Sequence, residues 1–194
     1  MIKYIKNFSL FITAILIATF IRTFIVQIYY IPSASMEPTL NIDDRVIVLK
    51  DKFINVNYEI GDVIVFYNPN YAYKKNTFQE FYESLQVWNF NNEQLTIDTA
   101  FIKRVIGLEG DVIQINKNGE ILNNGIILEI DNVIEENIYK DFVYIVEKNT
   151  IFVLGDNRKN SIDSRIYGAI NKEQIIGIAA YKIYPFSEIQ KIND

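Results

Sequence analysis

Two side chains in this sequence have the right types to do chemistry together, Ser35 and Lys103. The 194 residues include no His and no Cys. An imidazole base, a thiolate nucleophile and any imidazole or thiolate metal site are therefore excluded. A serine nucleophile here would need a carboxylate, a lysine or an amino terminus as its base. Ser35 stands in Ile31-Pro32-Ser33-Ala34-Ser35-Met36-Glu37-Pro38-Thr39-Leu40. Each proline fixes its own φ at about −65° and pushes the residue before it into extended geometry. That predicts a rigid, extended loop able to hold a hydroxyl in one place. The competing reading is an ordinary loop serine bonded to nearby backbone.

Lys103 lies within the apolar run Ala100-Phe101-Ile102-Lys103-Arg104-Val105-Ile106. Strand alternation puts Phe101, Lys103 and Val105 on one face, and Ile102, Arg104 and Ile106 on the other. Only one of the two basic residues is then expected to face a given site. Arg104 cannot be a base, because a guanidinium stays protonated. Lys103 can, if burial lowers its pKa; a drop of ~3 units from about 10.4 would cost about 4 kcal/mol of disfavoured ammonium. Otherwise Lys103 is a strand-edge lysine that deters pairing. A third polar stretch, Gly155 to Gly168, carries Ser161, Asp163, Ser164 and Arg165. Asp163 and Arg165 can pair locally, and a hydroxyl from this turn-rich loop could orient a lysine amine.

Around these residues the chain is one apolar segment followed by strands. From Phe8 to Ile21 there is no charge. A helix over 8–28 would measure about 31 Å, enough for a hydrocarbon core of about 30 Å. Arg22 can snorkel near its distal end, and Tyr29-Tyr30 suit an interfacial belt. Lys3 and Lys6 precede the segment, so the positive-inside rule predicts a cytoplasmic N-terminus and the remainder outside. A cleavable signal peptide would need a small-x-small site close behind the apolar run. Ser33-Ala34-Ser35 lies far past it, which favours an uncleaved anchor. Strands are predicted at 45–50, 63–67, 100–106, 111–115, 142–146, 150–154 and 175–184, with hairpin turns at Asn118-Gly119 and Asn124-Gly125. Residues 68–99 read as an insertion, its Phe78, Phe81 and Leu85 spaced as a short amphipathic helix. Residues 131–141 read as an acidic surface loop, with Glu135-Glu136 solvated rather than metal-binding. A net charge of −5 without a basic patch argues against nucleic acid. The expected fold class is mainly β and antiparallel, behind a single N-terminal transmembrane helix. The expected organisation is 1–7 as a cytoplasmic N-terminus, 8–28 as anchor and 29–194 as an extracytoplasmic β catalytic domain.

In order and spacing these stretches resemble the type I signal peptidases, bacterial leader peptidases that are membrane-bound Ser/Lys proteases. The matching segments are Pro32 to Leu40, Gly61 to Phe66, Phe101 to Leu108 with Gly110-Asp111, and Gly155 to Arg165. Glu109 stands where the family usually has Pro, and Lys159 where Asp is common. The resemblance implies Ser35 as nucleophile and Lys103 as neutral general base. It implies an oxyanion site made by the Ser35 N–H and the Ser33 hydroxyl, and Ser161 orienting the Lys103 amine. Asp163 and Arg165 would form a structural pair, and Met36 would shape the pocket and the membrane-facing surface. The implied substrates are pre-proteins bearing signal peptides, with small residues first and third before the cut. The implied setting is the bacterial plasma membrane, with the lipid bilayer as partner and the secretion machinery as a further candidate. No cofactor and no metal are implied. Two other classes remain: a self-cleaving repressor with the same dyad, which would need a DNA-binding N-terminus, and a non-enzymatic anchored β domain, which would not need Ser35, Lys103 and Ser161 together.

Overall fold

The computed structural model describes residues 2–51, 56–69, 100–131, 133–134 and 141–193. Nearly all of the expected insertion (70–99) and the Glu135-Glu136 pair lie outside the described residues.

The first element, α1, spans Ile2–Phe24. Its Asn7–Phe24 stretch is long and apolar enough to cross a membrane, and only 17% of that stretch is buried. The helix stops before the expected Ile28. Ile25 is a single connecting residue, and Val26–Tyr30 form strand β1. The apolar run continues through this boundary, so hydrophobicity does not mark it. The β-branched and aromatic composition of Val26, Ile28, Tyr29 and Tyr30 suits a strand. A paired partner then decides the matter: β1 is antiparallel to β2 (Arg45–Lys50), with Val26 opposite Leu49 and Tyr30 opposite Arg45. Tyr29, expected with Tyr30 in an interfacial belt, packs instead against a protein core, while Tyr30 stays exposed.

The remaining strands are β3 (Val63–Tyr67), β4 (Ala100–Gly107), β5 (Val112–Ile115), β6 (Ile121–Asn123), β7 (Ile126–Ile127), β8 (Phe142–Ile145), β9 (Thr150–Leu154), β10 (Ile170–Asn171), β11 (Ile175–Tyr184) and β12 (Gln190–Lys191). Among the described residues the large sheet runs β1-β2-β11-β3-β4-β9-β10, with β12 beside β11, and a smaller sheet runs β7-β6-β5-β8. Every pairing between these described strands is antiparallel. The fold is mainly β with one apolar N-terminal helix, as expected. Both hairpin signals fall at turns: Asn116 to Glu120 joins β5 to β6, and Asn124-Gly125 joins β6 to β7 with both residues at positive φ (52° and 81°). Two successive positive φ values are what a two-residue turn matched to strand twist requires.

β3 explains why the site sits where it does. Its Val63 and Val65 join one core with Ile31, Met36 and Leu40, and its Ile64 and Phe66 join another with Val105 and Val153. A strand apolar at every position is one covered on both faces. β3 therefore lies inside the domain and supports β4, its antiparallel neighbour, with Ile64 opposite Lys103. A third core (Ile106, Phe152 and Leu154 with Ile113, Ile115 and Ile121) welds the small sheet to the large one.

Candidate active site

The loop carrying Ser35 is extended only at its ends. Ser33 (φ −138°, ψ 157°) and Glu37 (φ −63°, ψ 144°) have extended backbone, the latter as Pro38 demands. Between them Ala34–Met36 form one turn of 3₁₀ helix, closed by Glu37 N–H donating to Ala34 O (3.2 Å). The expectation of an extended loop fails at its centre, because neither proline restrains the residues there and a local i→i+3 bond forms instead. Met36 is fully buried in the Val63 core. It anchors the turn from beneath and does not reach a membrane-facing surface, so that expected role is corrected. Asn157 N–H donates to Ser35 O (3.1 Å), fixing the Ser35 loop from the other side.

Lys103 Nζ lies 2.8 Å from Ser35 Oγ and donates to Ile102 O at 2.9 Å. Lys103 is 4% exposed, so it is not an edge lysine reaching for solvent. Burial pushes its pKa down from 10.5 to about 8, although the Asp163 and Asp156 carboxylates pull it back up. The Phe101 ring, 5.8 Å from Nζ, also favours the charged form at the outer limit of a cation–π contact. Desolvation is the largest of these effects. At pH 7 such a lysine is ~10% neutral, against well under 0.1% for a solvated one (roughly, from the ordinary pKa).

The two faces of β4 both serve this site, contrary to the expectation that only one basic residue could. β9 pairs with β4 from Arg104 onward and ends at Leu154, leaving the flank beside Phe101–Lys103 without β9. Lys103 folds back over Ile102 O there and reaches Ser35. Arg104, on the opposite face, holds Asp156 through two bonds (Nε–Oδ1 2.8 Å, Nη2–Oδ2 2.7 Å) and Gly61 O through Nη1 (2.7 Å). Thr39 Oγ1 donates to the same Asp156 carboxylate (2.6 Å). Thr39, Arg104 and Asp156 thus tie the Ser35 loop to the strand that carries Lys103, a connection not anticipated from sequence. The β4–β9 register accounts for it: Arg104 faces Leu154 across the ladder, and Asp156 follows two residues later on the same side, a pairing that no local sequence pattern encodes. Val133 and Ile134 were also missed. They bridge to Pro38 and Asn157, so part of the expected surface loop is a strut against the site.

Gly155 stands at the crossing. A Cβ there would lie 2.2 Å from Ser161 Oγ and 2.5 Å from Ser35 O. Its N–H donates to Asp163 Oδ2 (3.0 Å), and Asp163 pairs with Arg165 at 2.8 Å, the expected local pair. Asp163 also caps helix α2 (Ser164–Tyr167). Ser33, itself exposed, has its Oγ 3.4 Å from Ser35 Oγ. Ser161 differs from expectation. Its Oγ is buried with no hydrogen-bond partner, and the Lys103 amine is engaged by Ser35 and Ile102 instead. The loop places the Ser161 hydroxyl against Gly155, where the missing Cβ leaves room for it. Among the described residues no group of three or more acidic side chains is arranged to hold a metal.

A buried lysine amine at hydrogen-bond distance from a serine hydroxyl, on an antiparallel β scaffold behind an apolar helix long enough to span a bilayer, is an arrangement that can support serine hydrolysis with a lysine base. The family profile described as signal peptidase, peptidase S26, matches residues 2–184. The chain is 36% identical over 186 residues to "Probable signal peptidase I-1" of Synechocystis sp. (95% of this chain, 85% of that protein). It is 35% identical over 179 residues to signal peptidase I of Leptolyngbya laminosa (92% and 79%). It is 30% identical over 195 residues to signal peptidase I S of Bacillus subtilis (94% and 90%). The chain belongs to the signal peptidase family, peptidase S26, and is a membrane serine endopeptidase of the signal peptidase I type, the Ser/Lys class that acts on signal peptides.

Proposed function

We propose that Ser35 and Lys103 are this chain's dyad and that it cuts signal peptides from exported pre-proteins at the outer face of a bacterial plasma membrane. The observation that carries the reading is the 2.8 Å approach of a desolvated lysine amine to a serine hydroxyl in a chain with no His and no Cys. In its neutral form Lys103 accepts the Ser35 proton as Oγ bonds to the scissile carbonyl carbon. The ammonium then returns the proton to the leaving amine as the C–N bond breaks. The free amine next takes a proton from water as the water oxygen bonds to the acyl carbon; when the ester C–O bond breaks, the ammonium returns that proton to Ser35 Oγ, and the new carboxylic acid leaves and gives its proton to solvent. The Ser35 N–H and the Ser33 hydroxyl are the donors assigned to the oxyanion. Ser33 is supported by its position 3.4 Å from Ser35 Oγ, outside the buried lysine.

Lys3 and Lys6 support a cytoplasmic N-terminus. An exposed rim of Ile28, Tyr30, Tyr181, Tyr184 and Phe186 follows the helix, as suits side chains at a lipid interface. The secretion machinery, which delivers such substrates, is the expected neighbour. The test is cleavage of a model pre-protein in detergent. Ser35→Ala and Lys103→Ala should each abolish product, and their double variant should be little worse than either, since groups acting as a unit are non-additive. Substantial cleavage by Ser35→Ala would exclude the mechanism.

A further inference from the structure

The apolar helix enters the sheet without a linker. Ile25 N–H still donates to Ile21 O (2.9 Å), and Val26 already faces Leu49 in the β1–β2 ladder. Lys50, the last residue of β2, closes this joint twice: its backbone N–H donates to Ile25 O (2.9 Å) and its ammonium to Thr23 O (2.8 Å). The last carbonyls of a helix lack intrahelical partners and carry the negative end of its dipole, so a cation donating there is bound by both effects. Thr19, Thr23 and Phe24 are buried while Ile17, Phe20 and Ile21 are exposed, which shows that one side of the last turns is packed on protein. Beyond β1, Ile31 exchanges backbone bonds with the Asp43-Asp44 turn (2.9 and 3.0 Å), and Ser35 follows in its pinned loop. From helix to nucleophile, each stretch of backbone is held.

We propose that Lys50 is a positioning residue that locks the membrane helix onto the catalytic sheet and so fixes the height above the bilayer at which Ser35 cuts. The inference rests on the signal-peptidase reading. A substrate anchored in the same bilayer by its own apolar segment presents each peptide bond at a height set by its sequence. A rigid enzyme selects the bond at the matching height; a hinged one accepts several. A lysine that merely stabilised β2 would alter stability and not the choice of bond.

The test uses the full chain in vesicles of phosphatidylethanolamine and phosphatidylglycerol. Because the protein has no Cys, nitroxides on Ile17→Cys in the helix and Ile126→Cys in the small sheet report the joint without background. The wild type should give a narrow distance distribution, Lys50→Met a markedly broader one, and Lys50→Arg, which can still donate to Thr23 O, a narrow one again. In parallel, pre-proteins whose cut site is moved a few residues along the chain are compared with a short soluble peptide. Lys50→Met should lose about tenfold of the preference for the native position while kcat/KM on the soluble peptide stays unchanged. An unbroadened distribution in Lys50→Met, or broadening with the preference intact, overturns the proposal. If the wild type cleaves no pre-protein, the signal-peptidase reading itself fails and the choice-of-bond claim with it, an outcome the label distances identify separately because they need no turnover.

Discussion

At the scale of single residues, the cost of the site is concentrated in Lys103. Its folded pKa of about 8 lies below the ordinary 10.5, so between those values the unfolded chain holds a proton that the folded one has released. Stability contributed by this group therefore falls as pH drops from about 10.5 to 8 and stays low below that, a span worth about 3 kcal/mol. The raised phenol pKa values of Tyr58 and Tyr167 act in the opposite sense at high pH but are common to wild type and variant. The difference in unfolding free energy between wild type and Lys103→Met should accordingly rise by about 3 kcal/mol in favour of the wild type between pH 8 and 10.5. Denaturant titrations of both proteins across that range check it. A flat difference would mean that the amine is not desolvated in the folded protein.

At the scale of elements, the turn carrying Ser35 and the Gly155 loop interlock. Gly155→Ala would drive a methyl into Ser161 Oγ and Ser35 O, and the backbone carbonyl cannot rotate away as a side chain could. The expected outcome is a stability loss of about 1–3 kcal/mol from overpacking and a fall in kcat of about 100-fold from displacement of Ser35, read by thermal unfolding and cleavage rate. Normal kcat would show that the crossing is looser than its geometry. Much of this arrangement was legible in the sequence. The run Val63 to Tyr67 announced a strand, and Asn124-Gly125 announced its turn. Asp163 and Arg165 are close enough in sequence to pair whatever surrounds them. The end of α1 was not legible, because apolarity is the same on both sides of Phe24 and only the pairing of β1 with β2 separates helix from strand. Nor was the convergence of Lys103 and Arg104, which depends on where β9 stops. Met36 and Ser161 turned out to be placed by packing against residues distant in sequence, which no local pattern encodes.

At the scale of the whole molecule, the proposed orientation rests on the basic residues Lys3 and Lys6 before the helix, and it puts the β domain outside. Protease added to intact spheroplasts should digest the β domain, and digestion should not require opening the membrane. Protection of that domain until lysis would reverse the topology. The central claim, that a neutral Lys103 activates Ser35, is tested most directly by the pH dependence of kcat/KM on a pre-protein, measured for the wild type beside Lys103→Arg. The wild-type rate should climb with pH along one limb centred near 8, where the buried amine loses its proton. Lys103→Arg keeps the charge but cannot release a proton, so it should be inactive at every pH. Retained activity in the arginine variant, or a limb near the 10.5 of an ordinary lysine, would contradict the account.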